Sequence, residues 1–231
     1  MKSKKFEQNY FEKVVYQAQP KLEKVKVLEG FYDLLSKRKS FKNILDLGCG
    51  DGEFLRICQE KGKKCFGADI SEYALRKAKQ KLKGEFSRLD LRKDRLPYSN
   101  DCFDVVTIFD LVEHLDNPSL VLYEAKRVLK KGGFLFLTTP NGGYWFADFF
   151  GHFVVNDPTH INIQVKDYWQ EQLAQAGFSQ SEIKGCFLFG FPPSWRLRQI
   201  FQTFKLPTNL NPVFCPVLGL TTTLFIFAKK G

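Results

Sequence analysis

The chain has 231 residues, 44% of them hydrophobic, 26% charged and 15% aromatic. That length builds one sizeable domain with appendages rather than two enzymes, and that composition excludes a disordered chain. Thirty-five Lys plus Arg against 25 Asp plus Glu leave a net charge of +10, which favours anionic partners without requiring one.

From Phe6 to about Ser36 the chain is rich in Glu, Lys, Gln and Leu at helical spacing, and Pro20 splits it, so two helices are expected. They form a helical cap over residues 1–40, ahead of a core domain over 41–231. Asn43 to Leu47 is a short apolar run stopped by glycines, and Glu53 to Lys61 returns to helical spacing, which reads as strand, glycine turn, helix. The unit repeats with Cys65 to Ala68 as strand, Ser71 as N-cap of a Lys-rich helix to Lys83, and Glu85 to Leu89 as a third strand. Phe103 to Phe109 is a β-prone run, followed by a helix from Ser119 to Leu129, a Gly132-Gly133 stop and the strand Phe134 to Thr138. Val165 to Ala176 is an amphipathic helix closed by Gly177, and Glu182 to Phe189 and Thr221 to Lys229 supply the sixth and seventh strands. Alternation of this kind specifies an α/β fold with a parallel sheet.

The six cysteines, Cys49, Cys58, Cys65, Cys102, Cys186 and Cys215, show no C-x-x-C pair, and no apolar signal follows the Lys-rich start. A cytoplasmic location is therefore expected. Leu206 to Ala228 carries no charge, but Pro207, Pro212, Pro216, Asn209 and Asn211 interrupt it, so no transmembrane segment is expected.

The decisive segment is Asp46-Leu47-Gly48-Cys49-Gly50-Asp51-Gly52, a glycine-rich turn between first strand and first helix, where ligands of open α/β sheets bind. Its G-x-G-x-G spacing differs from the G-x-G-x-x-G dinucleotide fingerprint. Asp69 ends the second strand, where an acid accepts hydrogen bonds from both ribose hydroxyls, and Asp90 ends the third, where a carboxylate receives an adenine amino proton. Glycine, acid and acid on one sheet edge describe an adenosine pocket. The loop brings no Lys for a phosphate and the acids favour a cation, so hydride transfer is disfavoured.

These residues resemble the class I S-adenosylmethionine-dependent methyltransferases, in the branch that includes the ubiquinone-biosynthesis O-methyltransferases and many bacterial small-molecule enzymes. The resemblance rests on Ile44 to Gly52, Asp69-Ile70-Ser71, Asp90-Leu91, Glu113-His114-Leu115, Arg127 to Gly133 and Thr139-Pro140-Asn141, within about residues 40 to 190. It implies a seven-stranded, mostly parallel, Rossmann-like sheet with helices on both faces, whose last strand inserts antiparallel beside the sixth. It also implies S-adenosylmethionine as cofactor. Gly48, Cys49 and Gly50 would line the methionine moiety with Asp46 in the same set, Asp69 and Ile70 would hold ribose and adenine, Asp90 and Leu91 would recognise the adenine edge, and Phe109 and Asp110 would close the pocket.

Methyl transfer is a displacement at carbon in which alignment supplies most of the acceleration, and a base is needed only for a weakly acidic acceptor. Asp110, Glu113 and His114 lie at i, i+3 and i+4, on one face if the segment is helical, and His160 comes later. The set looks like the carboxylate, Glu-His and distant His by which ubiquinone-pathway and small-RNA ribose methyltransferases bind a divalent ion, with Asp110 in place of the usual Glu. Mg²⁺ or Mn²⁺ held by Asp110, Glu113, His114 and His160 is one reading; His114 or His160 as a general base without metal, beside Glu113, is the other. The plain alternative is that these side chains cap or pack a helix and a loop, as is expected of His152.

The acceptor-side loops span about 141–164 and 190–220. The first is strongly aromatic from Tyr144 to Phe150; in the second, Trp195, Ile200, Phe201 and Phe204 can share a helix face bordered by Arg196, Arg198 and Lys205. This pattern suits a small, lipophilic acceptor and peripheral membrane contact through 190–220, or simple packing on the sheet. The expected function is methyl transfer to a small molecule at oxygen. The alternatives are an RNA ribose methyltransferase, for which the basic helix from Arg76 to Lys83 offers phosphate contacts but no stacking aromatics, and a non-catalytic adenosyl-ligand-binding subunit.

Overall fold

The computed structural model describes residues 21–144, 159–187, 213–215, 218 and 221–231. The first of the two opening helices, the aromatic stretch beyond Tyr144 and the 190–220 helix face lie outside the described residues, apart from residues 213–215 and 218. Helix α1 (Lys21–Arg38) precedes β1 (Asn43–Leu47), α2 (Glu53–Glu60), β2 (Lys64–Asp69), α3 (Glu72–Lys81) and β3 (Gly84–Arg88). Then come β4 (Phe103–Phe109), α4 (Ser119–Val128), β5 (Leu129–Pro140), α5 (Lys166–Gln175), β6 (Gln180–Phe187), β7 (Val213–Cys215) and β8 (Thr223–Lys229).

One sheet holds all the strands among the described residues, in the order β3-β2-β1-β4-β5-β8-β6-β7. The pairs β1–β2, β1–β4, β2–β3 and β4–β5 are parallel, while β8 runs antiparallel to both β5 and β6. The seven expected strands are present, with the last inserted beside the sixth. A three-residue strand, β7, is added at the edge, pairing antiparallel with β6. Because β1 leads outward to β2 and β3 whereas β4 lies on its other side, the strand order reverses at the C-terminal ends of β1 and β4, where such sheets open a crevice.

Strand alternation divides the core into two layers. Ile44, Val105, Phe134 and Phe136 face one cluster with Phe31 and Leu35 of α1, Phe54 and Leu55 of α2, and Leu75 and Ala78 of α3. Leu45, Val106, Ile108, Leu135 and Leu137 face the other, with Val121, Leu122 and Ala125 of α4 and Trp169 and Leu173 of α5. Helix α1 was expected in a cap ahead of residue 41, but Val27, Phe31 and Leu35 are 4%, 2% and 0% exposed within the first cluster. Its apolar stripe packs in the same layer as α2 and α3 on the sheet. The Phe31 ring centroid lies 4.7 Å from that of Phe109, 5.4 Å from Phe136 and 5.3 Å from Phe225.

Gly132-Gly133 does not stop a helix ahead of a separate strand. Pairing begins at Leu129 opposite Phe103, the register shifts, and it resumes with Phe134 opposite Val105. Gly132 takes φ +69° in that irregularity, a conformation open to glycine, so the pair makes a bulge within β5.

Candidate functional site

The loop after β1 is fixed by its own backbone. The Gly48 and Cys49 N–H groups donate to the Ala68 carbonyl at 2.8 and 3.1 Å, and the Gly50 N–H donates to Asp69 Oδ2 at 2.8 Å. Asp69 Oδ1 accepts from the Ser71 N–H at 2.8 Å, and Ser71 Oγ in turn caps α3 by accepting from the Ala74 N–H at 3.2 Å. Asp69 thus joins the glycine loop to the start of α3. Three loop amides that a phosphate cradle would aim outward are turned to β2, in keeping with a ligand that brings no phosphate.

Gly52 shows why the turn needs glycine: its φ is +79°, and a Cβ there would lie 2.6 Å from Leu82 Cδ1. Gly67 on β2 allows a close approach from beneath, since its Cβ would stand 2.7 Å from Cys49 Sγ and 2.8 Å from Phe86 Cδ1. Cys49 is buried, and desolvation together with Asp69 and Asp46 pushes its thiol well up, so it packs as a neutral side chain.

Asp46 is 4% exposed and accepts from Thr107 Oγ1 at 2.7 Å. Burial pushes its carboxyl up to about 7, the Thr107 hydrogen bond opposes this, and the neighbouring Asp69 adds to it. A cation entering beside these two acids would find a favourable field. Ile70 is half-buried, and its carbonyl accepts from Arg88 Nε at 3.1 Å.

Asp90 departs from the simple picture of a carboxylate awaiting an adenine. Arg92 grips it with both arms, Nε to Oδ1 at 2.7 Å and Nη2 to Oδ2 at 2.7 Å, and these bonds hold its pKa below the usual carboxylate range. An ionised carboxylate offers about four lone-pair sites, so the grip orients Asp90 while leaving acceptor capacity. Leu91 is buried in the core beneath, with Leu96 and Phe103 in the same cluster.

Strand parity turns the Phe109 ring to the α1–α2 layer, 4.9 Å from Phe54 and 5.1 Å from Phe136, on the face that Thr107 and Asp46 share. One expectation is corrected. Asp110 does not share a helix face with Glu113 and His114. Its φ of +45° breaks the backbone before a single 3₁₀ turn at Val112–His114, and its Oδ1 accepts from Thr138 Oγ1 at 2.9 Å. Desolvation by the surrounding protein raises the Asp110 carboxyl pKa, and the Thr138 hydrogen bond opposes this.

Glu113, His114 and His160 do come together: one ligand atom from each lies within 4.8 Å of the others. Glu113 is fully buried, and its Oε2 accepts from Thr139 Oγ1 at 3.3 Å. Its backbone carbonyl accepts from both the Ile161 N–H at 2.8 Å and the Asn162 N–H at 3.0 Å, which clamps the 160s segment to the turn after β4. The two imidazole centroids are 4.8 Å apart. Asp110, expected as a fourth ligand, is not in this group. Thr107, Arg92 and Thr159 are the site residues that sequence reasoning missed; parity along β4 pairs Thr107 with Asp46 and could have found the first.

Lys42, Lys64 and Lys83 stand at or just before the starts of β1, β2 and β3, and make no ion pair with another described residue. At the opposite edge Arg92 and Lys93 are engaged by Asp90, and Arg95 by Glu124.

Residues 19–182 match the family described as Methyltransferase domain, and the chain belongs to it. The mitochondrial ubiquinone biosynthesis O-methyltransferase of Candida albicans is 34% identical over 169 residues, covering 62% of this chain and 50% of that one. The ubiquinone biosynthesis O-methyltransferase of Nitrosomonas europaea is 33% identical over 110 residues, covering 44% and 45%. The chain thus spans about half the length of these relatives. Among solved structures, a SAM-dependent methyltransferase from Archaeoglobus fulgidus superposes with a TM-score of 0.66 at 22% identity, covering 88% of this chain and 93% of that one. Phosphoethanolamine N-methyltransferase 2 of Haemonchus contortus, in complex with S-adenosyl-L-methionine, gives 0.62 at 17%, covering 96% and 59%. At those identities the superpositions establish the fold, and the family match establishes the class.

Proposed function

We propose that the protein transfers a methyl group from S-adenosylmethionine to a hydroxyl oxygen of a small, lipophilic molecule. The observation that carries the reading is the convergence of His114, His160 and Glu113 at the C-terminal ends of β4 and β5, beside the Asp69-pinned glycine loop. The residues present fit the cofactor in this reading: Gly48, Cys49 and Gly50 would line the methionine part, Asp69 would hold the ribose and Asp90 the adenine edge, and Asp46 and Asp69 would supply negative field for a sulfonium and an ammonium. When bound, that cofactor supplies an already activated methyl group. The chain's own work is then to align the acceptor and to take up its proton. His114, reaching the acceptor side from the turn after β4, is the base of choice because imidazole titrates near neutrality.

The oxygen preference is supported by the kinship with ubiquinone O-methyltransferases and the lipophilic preference by the aromatic stretch from Tyr144 to Phe150. Residues 190–220 remain the segment for peripheral membrane contact in this reading. Among the described residues no helix is long and apolar enough to cross a membrane. A reducing, cytoplasmic setting is part of the reading and is supported by the free thiols Cys49, Cys58, Cys65 and Cys102.

A second reading is favoured by one observation, the mutual approach of Glu113, His114 and His160. Their 4.8 Å limit is close to the roughly 4.2 Å that opposite ligands of Mg²⁺ or Mn²⁺ span at about 2.1 Å each. These three residues would hold the ion, which would lower the pKa of an acceptor hydroxyl. The RNA alternative is carried by charge alone, and the basic helix from Arg76 to Lys83 brings no stacking aromatics. Titration of Mn²⁺ into protein saturated with S-adenosylhomocysteine, with His160→Ala as control, separates the metal reading from the simple base. Turnover of a labelled methyl group onto detergent-solubilised catechols and quinols tests the activity; cofactor binding without turnover on any hydroxyl acceptor would leave an accessory subunit instead.

A further inference from the structure

The geometry points to Thr159 as the positioning residue of His114, holding the imidazole as the Nδ1–H tautomer so that Nε2 carries the lone pair. This rests on the reading of His114 as the acceptor-side group. His114 Nδ1 lies 2.8 Å from Thr159 Oγ1 and 3.1 Å from the Thr159 carbonyl oxygen. A hydroxyl can donate or accept, and taken alone it would leave the tautomer open. A carbonyl oxygen can only accept. If Nδ1 carried a lone pair it would face the carbonyl lone pairs at 3.1 Å, so the carbonyl assigns the proton to Nδ1 and the hydroxyl becomes a second acceptor for it.

The same segment is held so that this contact cannot drift. The Ile161 and Asn162 N–H groups both donate to the Glu113 carbonyl, at 2.8 and 3.0 Å, one residue before His114. Thr159 is 6% exposed, so water does not compete freely for its oxygens. Two segments about 45 residues apart therefore lock together backbone to backbone, and the lock delivers two oxygens to one ring nitrogen. Fixing the far nitrogen of a functional imidazole is the usual way in which its near nitrogen is oriented and made basic. Whether Nε2 meets a proton or a divalent ion, the requirement is the same.

The test is nitrogen-15 NMR of the imidazoles in protein saturated with S-adenosylhomocysteine, at about pH 8.5, above the ordinary range of histidine pKa values. Three histidines make assignment by single substitution practical. The expected spectrum shows His114 with Nδ1 protonated and Nε2 unprotonated. Thr159→Val removes the hydroxyl but keeps the carbonyl, so His114 should retain the Nδ1–H form with both signals moved partway towards the averaged values of a mobile ring, and Thr159→Ser should restore them. An Nε2–H tautomer in the unsubstituted protein, or a Thr159→Val spectrum identical to the parent, overturns the assignment. Calorimetric binding of S-adenosylhomocysteine by the same samples reports on the methyltransferase reading separately, and also shows whether each variant is folded.

Discussion

Asp69 accepts the Gly50 N–H at 2.8 Å, so the carboxylate proposed to receive a ribose is also the group that closes the glycine loop. Replacing it with alanine orphans two backbone donors, those of Gly50 and Ser71, and removes the ligand contact as well. Asp69→Ala should weaken S-adenosylhomocysteine binding by about 1.5–3 kcal/mol, the range for hydrogen bonds to a charged group. Calorimetry checks this, and an unchanged affinity would mean that the cofactor lies elsewhere.

Asp46 makes stability depend on pH. Its folded pKa of about 7 stands above the 3.8 of an unperturbed Asp, so between those values the folded state binds more protons than the unfolded one. Stability then falls as pH rises through that window and levels off above it. Asp46→Asn keeps an acceptor for Thr107 but carries no charge. Ligand-free protein should gain up to about 4 kcal/mol at pH 8 and almost nothing at pH 4. Urea denaturation at the two values measures the difference; equal effects at both would show that Asp46 is ionised at low cost.

Phe31 tests whether α1 belongs to the domain. It is 2% exposed among three aromatic partners, and truncation of such a side chain costs about 3–5 kcal/mol. Phe31→Ala should lower the urea midpoint accordingly in a single transition. A loss below about 1 kcal/mol would indicate that α1 docks only loosely.

Gly67 links the core to the loop. A methyl group there meets Cys49 Sγ at 2.7 Å and Phe86 Cδ1 at 2.8 Å, so Gly67→Ala must push the loop or the ring aside. A stability loss of about 1–3 kcal/mol, with weaker cofactor binding, is the expected result. If cofactor affinity held while stability fell, only Phe86 would have yielded.

The elements legible in the sequence are those set by local pattern. A glycine-stopped apolar run located β1, repetition of the unit located β2 and β3, and β-prone runs located β4 and β5, while acids at the end of β2 and just after β3 could be placed because strand ends align on one edge. Strand parity with Val105 and Thr107 already turns Phe109 to the α1 layer. Asp110 failed because helical spacing assumes helical backbone, and φ +45° cannot be foreseen at a non-glycine residue. The Arg92 grip on Asp90 is two residues away and ambiguous in sequence, since Lys93 is equally near. Thr159 carries no local signal at all, because its contact with His114 exists only once β4 and the 160s segment have been brought together.

The measurement that bears most directly on the central claim is a calorimetric titration of S-adenosylhomocysteine into the unsubstituted protein and Asp69→Ala side by side. One-to-one binding to the former, weakened at least tenfold in the latter, is the predicted result. Absence of binding to the unsubstituted protein would contradict the assignment of the Gly48–Gly52 loop as a cofactor site, and with it the proposed methyl transfer.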